Sequence, residues 1–435
     1  MGYILLLIGT WFLMNNEKNK LFTVLLFSIF AFPNNAYITS KLMLDIFEIN
    51  ISFYISFLIL VLWALKLLKS ETILFKGKDF YFLLLLVLVL IYFAIGITNG
   101  NAFVNEDLKI YMNKFVLYLV IQFCVKDKED FFRTLNVVCI MSVIYSVIII
   151  IISLFFKDSL SLIYGERLST WWEGTNRIAF GNTSFLLFTS SLLYYKLISK
   201  KKPKKILSLC IFLLNIIAIL LSQNRTLILL AIASLILIHL YVAFKAIQSK
   251  KIGVKSIFLL AAAILTVLVL SVGLRSEFNT SNETGGILQN RFSTNYLESL
   301  NVRSNSNQIA WNRVIDNKLG EGIGAQLTVY SQDFKYSFVG NFIDNIYLTL
   351  GVKFGLIGLG LFGILLIKSI WYLILCYKET KNLLFATLLI SYILSLILTT
   401  YMNAQIIYTP TVSFIFLLFL NLKNIRMVNQ GETLI

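Results

Sequence analysis

The chain has 435 residues, of which 58% are hydrophobic and only 14% are charged, and its mean hydropathy is +0.81. A soluble globular protein carries about 25% charged residues because water must wet its surface, so this composition excludes a soluble fold. The formal net charge of +16 would indicate nucleic-acid binding in a soluble protein. In a membrane protein, an excess of Lys and Arg instead indicates which loops face the cytoplasm.

Apolar runs that could cross a bilayer recur along the whole chain. A spanning helix needs about 20 mostly apolar residues, and continuous runs such as Phe82–Ile91 lack the alternation of a barrel strand. We therefore predict an all-α, polytopic integral membrane protein with about twelve to fourteen transmembrane helices. The candidate runs are residues 2–14, 20–38, 49–68, 80–98, 108–125, 132–156, 177–197, 206–222, 225–245, 255–274, 345–373, 383–401 and 409–422.

The charged residues separate when the connections are assigned alternately to two sides of a membrane. One side then carries the whole excess of positive charge, and the other side carries equal numbers of basic and acidic residues. The positive-inside rule assigns the basic side to the cytoplasm. The basic stretch Ser199–Lys205 is then a cytoplasmic loop, and we expect no nucleic-acid partner. Residues 1–14 lack the basic start and the small-residue cleavage site of a signal peptide.

The spans divide the chain into three regions. Residues 1–274 are expected to hold transmembrane helices with a short external Trp-rich segment at 157–182, and residues 345–435 further helices and a short cytoplasmic tail. Residues 275–344 are expected to form one long external loop. Within it, residues 306–318 show helical spacing and residues 320–324 (GEGIG) indicate a break. The aromatic content of this loop favours a functional role over disorder.

The external segment 157–182 is short but chemically dense. It contains Trp171 and Trp172 among charged and amide side chains that include Arg177. Two interpretations stay open at this point. The tryptophans could belong to the aromatic belt at the membrane interface, or they could form a platform on which a sugar stacks.

Several ionisable residues lie at the ends of apolar runs, where charge is costly and tends to be functional. Arg225 could be a snorkelling arginine or an anion clamp, and His239 is expected to be a packed residue rather than a catalyst. Asp344 could cap the helix that follows it or act as a base. The four cysteines are expected to be small apolar core residues. An anionic lipid headgroup could bind between Asp344, Arg225 and three loop arginines, which are Arg291, Arg303 and Arg313.

Four short motifs occur in a recognisable order along the chain. Ser222–Arg225 form a Ser-x-x-Arg turn, and Arg291–Ser293 form an Arg-Phe-Ser sequence. Trp311 is then followed by Gly322-Ile323-Gly324, and Asp344–Leu348 lead into a helix that contains Gly351 and Gly355 at GxxxG spacing. With about a dozen helices around it, this order over residues 165–365 resembles the O-antigen polymerase and O-antigen ligase superfamily (the Wzy and WaaL proteins).

The resemblance implies a metal-independent, inverting glycosyltransferase of the GT-C type that uses polyprenyl-diphosphate-linked glycans and no cofactor. It implies that Arg225 and Arg291 bind the diphosphate. Where the ligases have a histidine as the base, this chain has Asp344, which favours a polymerase. Where the family has an arginine before the loop tryptophan, this chain has Gln308, so Arg303 or Arg313 could take that role.

These implications lead to one expected function and two rivals. We expect a polysaccharide polymerase of the O-antigen or capsule type in the bacterial plasma (inner) membrane, with its active site on the periplasmic or extracellular side. Its expected partners are a lipid-linked oligosaccharide donor and acceptor and membrane lipid, to which a chain-length regulator could be added. Asp344, Arg225 and Arg291 are the expected catalytic residues, and the rivals are a ligase and a lipid-linked oligosaccharide flippase or transporter. The expected substrate-binding residues are Arg303, Arg313, Trp171, Trp172, Arg177 and Tyr347.

Overall fold

The computed structural model describes residues 1–33, 45–46, 49–70, 80–155, 180–198, 205–222, 224–248, 295–331, 336–402, 405–423 and 425. Helices make up nearly all of these residues, as the unbroken apolar runs predict. They are α1 Gly2–Met14, α2 Lys18–Phe30, α3 Ile51–Ser70, α4 Phe80–Thr98, α5 Val104–Cys124, α6 Lys128–Phe155, α7 Phe185–Ile198, α8 Lys205–Leu221, α9 Arg225–Gln248, α10 Asn295–Asp316, α11 Ile346–Thr380, α12 Leu383–Leu396, α13 Gln405–Tyr408 and α14 Pro410–Leu420.

The strands in the described part of the chain form two short antiparallel hairpins. Strand β1 (Asp45–Ile46) pairs with β2 (Ile49–Asn50). Strand β3 (Leu327–Ser331) pairs with β4 (Tyr336–Gly340), and Leu327 lies opposite Gly340. Neither hairpin is long enough to form a core of its own.

Four of the described helices are long and apolar enough to cross a membrane, and they are Lys128–Phe155, Thr226–Lys245, Ile346–Thr380 and Leu383–Thr400. Shorter apolar helices accompany them, at Gly2–Met14, Ile51–Lys66, Leu83–Thr98, Ile206–Leu221 and Pro410–Lys423. The prediction of an all-α membrane protein is confirmed. The total of twelve to fourteen spans stays a prediction, and the candidate run at 255–274 lies outside the described residues.

Buried polar side chains join the helices in the interior of the bundle. Asn215 of α8 is fully buried, and its amide nitrogen donates to Ser142 of α6 at 3.0 Å and to Thr189 of α7 at 3.1 Å. Its amide oxygen accepts from Ser146 at 2.9 Å. Such hydrogen bonds between helices are typical of membrane bundles, because lipid offers polar groups no other partner.

Some contacts between helix ends join chain regions that the charge pattern assigns to the same side of the membrane. The Lys18 ammonium group, which precedes the apolar part of α2, donates to the carbonyl of Cys124 at the end of α5 at 3.4 Å. The Asn421 side chain after α14 donates to the carbonyl of Val125 at 3.0 Å. These three chain regions are all assigned to the cytoplasmic side by the charge pattern, and the structure brings them together.

The C-terminal half departs from the expected pattern in one important place. Helix α10 confirms the helical prediction for residues 306–318, although it begins earlier and ends at Asp316. The apolar run at 345–373 was expected to be one continuous helix. Instead, Gly355 adopts φ 61° and ψ −164° inside α11, which interrupts the helical hydrogen bonds. This break is the centre of the candidate site.

Two smaller predictions concern cysteine and histidine. Cys124, Cys139 and Cys376 are buried, as expected, but Cys210 is exposed. Cys210 lies on α8 beside other exposed apolar side chains, so it faces outward from the bundle rather than into the core. His239 is buried, and its Nδ1 lies 2.9 Å from the hydroxyl of Tyr194, which confirms that it is a packed residue.

Candidate functional site at the predicted external end

The predicted site residues fall into three groups. Arg291, Trp171, Trp172 and Arg177 lie outside the described residues. The second group, Arg225 and Arg303, is described by backbone position alone, since Arg225 begins α9 and Arg303 lies within α10. The third group, Arg313, Asp344 and Tyr347, has described side chains.

Arg313 forms a bidentate ion pair with Glu321. Its Nε donates to Glu321 Oε1 at 2.9 Å, and its Nη2 donates to the other carboxylate oxygen. Its Nη1 donates to the carbonyl of Gln326 at 2.5 Å. The two charged side chains are 29% and 27% exposed. Arg313 therefore clamps both ends of the glycine-rich turn to α10 and keeps partial access to solvent, so its predicted role in binding substrate stays a prediction.

Asp344 lies one residue before the N-cap of α11. The cap itself is Asn345, whose side-chain oxygen accepts from the backbone nitrogens of Tyr347 at 3.0 Å and Leu348 at 3.4 Å. The cap of this helix is therefore Asn345 and not Asp344, as one of the two interpretations of Asp344 had it, and Asp344 is half-buried beside the cap. Cap and carboxylate are adjacent, so Asp344 lies next to the positive end of the helix dipole.

Tyr347 joins the start of α11 to the π-helical segment Ile397–Met402 that follows α12. Its hydroxyl donates to the Thr400 hydroxyl at 3.1 Å, and its ring contacts that of Phe362. Tyr347 therefore fixes the position of this end of α11. Its predicted role toward substrate stays a prediction.

The glycine-rich turn at residues 320–324 lies against the break in α11. Because Gly355 interrupts the helix, the carbonyls of Val352 and Lys353 accept from the backbone nitrogens of Glu321 at 2.8 Å and Gly322 at 3.0 Å. In return, the nitrogen of Leu356 donates to the carbonyl of Lys318 at 3.0 Å. Three backbone groups at the break thus find partners in residues 318–322, as buried backbone groups must.

Glycine is required here because backbone meets backbone. A Cβ on Gly320 would overlap the nitrogen of Gly355, and a Cβ on Gly322 would overlap Gly96 of α4. Both turn glycines also have positive φ, which side chains resist. The GxxxG spacing of Gly351 and Gly355 is typical of glycines that permit close approach of another helix, which makes close approach the expectation here. That prediction is right, but the partners are Val314 of α10 and the chain at 318–319 rather than another membrane-spanning helix.

The turn is also held by the connection between α4 and α5. The Asn101 side chain donates to the carbonyls of Glu321 and Ile323, each at 3.0 Å. The backbone nitrogen of Phe103 donates to the carbonyl of Gly324 at 3.2 Å. The turn is therefore enclosed between α4, α5 and α11 and forms part of the packed bundle end.

A fully buried ion pair lies directly beneath this turn. Lys353 Nζ donates to Asp107 Oδ2 at 2.5 Å, and both side chains are 0% exposed. The same carboxylate accepts from the backbone nitrogen of Gly324 at 2.7 Å and from the Asn341 side chain at 3.0 Å. Lys353 also donates to the Tyr408 hydroxyl at 3.0 Å. Both charges are thus hydrogen-bonded to several groups, which a buried pair requires.

This Asp107–Lys353 cluster joins five chain regions at one end of the bundle. Sequence reasoning missed it, although a usable signal was present. Lys353 lies eight residues inside the apolar run 345–373, and Asp107 directly precedes the run 108–125. An ionisable residue inside such a run, like Lys353, tends to be functional. Their pairing could not be read from the sequence because 246 residues separate them.

The charged groups at this end of the bundle therefore differ in their access to solvent. Arg313 and Glu321 are partly open to solvent, the Asp107–Lys353 cluster is closed, and Asp344 lies three residues after Asn341 of that cluster. Among the described residues, no three His, Cys, Asp or Glu side chains lie close enough to hold a metal ion.

Comparison of the chain with known proteins does not assign it to a family. No protein-family model matches the chain, and no curated protein matches it significantly. The resemblance drawn from the motifs stays a prediction.

Proposed function

We propose that this protein is a polysaccharide polymerase of the O-antigen or capsule type. In this proposal, it transfers a growing glycan from its polyprenyl diphosphate carrier to a second lipid-linked repeat unit at the external face of the bacterial plasma membrane. The proposal includes a GT-C-like arrangement of about twelve to fourteen spans. It also includes a mechanism that uses no metal or nucleotide.

The observation that supports the proposal best is the convergence of three motif parts. Trp311 lies on α10, Gly322 and Gly324 lie in the glycine-rich turn, and Asp344 immediately precedes α11. Helix α10 contacts α11 at Val314 and Gly351, and the turn contacts α11 at its break. Motifs that are separate in sequence thus belong to one packed assembly, as parts of one site would.

Each residue has a role suited to its chemistry in this mechanism. The diphosphate leaving group gains negative charge as the glycosidic bond breaks, and Arg225 and Arg291 would stabilise that charge. The carboxylate of Asp344 would accept the proton of the attacking sugar hydroxyl. The hydroxyl oxygen forms the new bond on the opposite face of the sugar, which accounts for inversion.

A transporter or flippase is favoured by one specific observation. Broken helices form the binding sites of many secondary transporters, and paired charges at membrane depth occur in transporters too. Helix α11 has a break and a buried charge pair. At this break, however, the released carbonyls already accept hydrogen bonds from Glu321 and Gly322. Because the chain itself occupies these groups, we favour the polymerase. A ligase would differ from it in the acceptor alone.

The deciding experiment uses purified protein in detergent with one defined lipid-linked repeat unit, a chelator, and no nucleotide sugar. We expect a ladder of products whose spacing equals one repeat unit. A single transfer to an added lipid or protein acceptor, without a ladder, would favour the ligase. Unchanged substrate would contradict both glycosyltransferases, and movement of the same lipid across vesicles would then favour the transporter.

A further inference from the structure

Three lysine side chains surround one phenyl ring at the predicted cytoplasmic end of the bundle. The ammonium nitrogens of Lys18, Lys66 and Lys126 lie 5.7, 6.0 and 5.4 Å from the centroid of the Phe123 ring. They come from the start of α2, the C-terminal part of α3 and the residues that follow α5. We call these four residues the Phe123 cluster.

The ring at the centre of the Phe123 cluster is fixed by its neighbours. Phe123 is buried, and it stacks on Trp63 of α3 with the ring centroids 5.8 Å apart. Trp63 and Lys66 are three residues apart, so they share one face of α3. The Lys18 ammonium also donates to the carbonyl of Cys124 at 3.4 Å. Three helix ends are therefore packed together here, while all three lysine side chains stay at least partly exposed.

The three ammonium groups form no ion pair with an acid in the described part of the chain. Acidic side chains around the cluster pair with other bases. Glu17 pairs with Lys20 at 2.8 Å, and Glu129 and Asp130 pair with Arg133 at 2.8 and 3.5 Å. The carbonyl end of α5 contributes roughly half a negative charge, which is too little to balance three ammonium groups.

This concentration of positive charge is unfavourable without an anion. Like charges around one ring repel one another, and a single ring attracts ammonium groups only weakly where water has access. A phosphate group carries the opposite charge, and its oxygens accept charge-assisted hydrogen bonds from several ammonium groups at once. Basic pockets between transmembrane helices on the cytoplasmic side are typical sites for multiply charged phospholipid headgroups.

Apolar side chains next to the Phe123 cluster favour a lipid over a soluble phosphate. Leu65, beside Lys66, and Phe57 are exposed on the apolar helix α3. In a bilayer, exposed apolar side chains of this kind contact acyl chains. A phospholipid places its phosphates among the lysines and its acyl chains along α3, whereas a soluble phosphate would contact the lysines alone.

We propose that the Phe123 cluster binds the headgroup of an anionic phospholipid in the cytoplasmic leaflet, with Lys18, Lys66 and Lys126 donating to its phosphates. A headgroup with two phosphates, as in cardiolipin, matches the charge of three ammonium groups best. This ligand differs from the substrates of the proposed function, which react at the opposite face, and its binding does not require glycan transfer.

The test uses the full-length protein in phosphatidylcholine nanodiscs and counts bound cardiolipin by native mass spectrometry as the cardiolipin fraction is raised. We expect Lys66→Met and Lys126→Met each to weaken binding about fivefold, since each base near an anionic headgroup contributes a factor of this size. The triple variant that adds Lys18→Met should weaken it about a hundredfold.

The matched control is Lys378→Met at the same predicted end of the bundle. Lys378 is exposed, and its ammonium lies 5.5 Å from the centroid of the Trp371 ring. This variant therefore removes the same charge from a similar contact with one ring, but outside the Phe123 cluster, and should bind cardiolipin as wild type does. Thermal unfolding of each variant without cardiolipin shows that the fold is retained.

The outcomes distinguish a built site from general attraction to a basic face. Wild-type binding by the triple variant would overturn the assignment, and so would equal losses in Lys66→Met and Lys378→Met. Displacement of cardiolipin by inorganic pyrophosphate at equal concentration would overturn the choice of a lipid and assign the site to a soluble phosphate. Lys66→Arg keeps the charge and is expected to retain binding, and a loss as large as that of Lys66→Met would contradict a role for the charge.

Discussion

The two ends of this bundle use charge in opposite ways. At the predicted cytoplasmic end, Arg133 pairs with Glu129 one helical turn away, and the two side chains are 45% and 83% exposed. At the predicted external end, Lys353 pairs with Asp107 across 246 residues, and neither is exposed. The first pair is local and solvated, whereas the second joins distant elements and is fully enclosed.

This difference distinguishes exposed charges, which set the orientation of the protein in the membrane, from buried charges, which stabilise its fold. Exposed ion pairs contribute about 0–1 kcal/mol, so the many cytoplasmic bases are free to vary in position and still keep the side bias. Removing one partner of a buried ion pair strongly destabilises the protein, because the other charge then stays buried without compensation. The rare buried charges therefore mark the end of the molecule where geometry matters.

The largest expected effect comes from breaking the Asp107–Lys353 pair. Lys353→Met leaves the Asp107 carboxylate buried without its cation and should destabilise the protein by about 3–5 kcal/mol. The amount of monodisperse protein and its thermal midpoint in detergent measure the loss.

The double variant Asp107→Leu with Lys353→Met sharpens this prediction. It removes both charges, so it should recover part of the stability lost in Lys353→Met. If the double variant were less stable than wild type by the sum of the losses measured for Lys353→Met and Asp107→Leu separately, the two side chains would not act as a pair.

A slightly smaller effect is expected at the break in α11, against which the glycine-rich turn packs. Gly355→Ala places a Cβ against the backbone of Lys318 and Leu319 at a positive φ, which should cost about 3 kcal/mol. The matched control is Gly360→Ala on the same helix, where a Cβ meets nothing within 4 Å. Thermal unfolding should leave the control within about 1 kcal/mol of wild type, and equal losses in both variants would contradict the docking of the turn.

Arg313→Ala should have a modest effect on stability, about 1 kcal/mol, because its pair with Glu321 is partly exposed. Glu321→Gln should have a similar effect on the thermal midpoint. If Arg313 also binds substrate, as the sequence predicts, polymer formation per folded molecule should fall in Arg313→Ala and persist in Glu321→Gln. Equal activity in the two variants would assign Arg313 to structure alone.

The smallest effect is expected for Arg133→Ala at the opposite end. Its exposed pair with Glu129 should contribute less than about 0.5 kcal/mol. A loss as large as that of Lys353→Met, seen by the same thermal measurement, would remove the contrast between the two ends.

The helices could be predicted from the sequence because their signal is local. Unbroken apolar runs require helices in lipid, and the runs at 2–14 and 80–98 correspond to α1 and α4. The break at Gly355 could not be predicted, since GxxxG spacing also suits an unbroken helix. The break depends on the turn at 320–324. Its backbone nitrogens donate hydrogen bonds to the carbonyls that no longer accept them within the helix.

The candidate site was predictable only in part, for a similar reason. Asp344 and Arg313 stand out as charges in a motif, but the use of Asn345 as the cap and the pairing of Arg313 with Glu321 depend on the fold. Asp107 and Lys353 become conspicuous once depth is considered. Their shared hydrogen bonds to Gly324 and Asn341 require the three-dimensional structure.

The proposed roles of Asp344, Arg225 and Arg291 are tested by comparing the polymer made by variants of equal stability. Asp344→Asn removes the proposed base and keeps the shape of the side chain, and Arg225→Ala and Arg291→Ala remove the proposed diphosphate ligands. Each variant is incubated with the lipid-linked repeat unit, alongside Arg133→Ala as the control. The product ladder is expected to disappear in all three variants and to be unchanged in the control. A triple variant of Asp344, Arg225 and Arg291 that still makes a full-length ladder would contradict it.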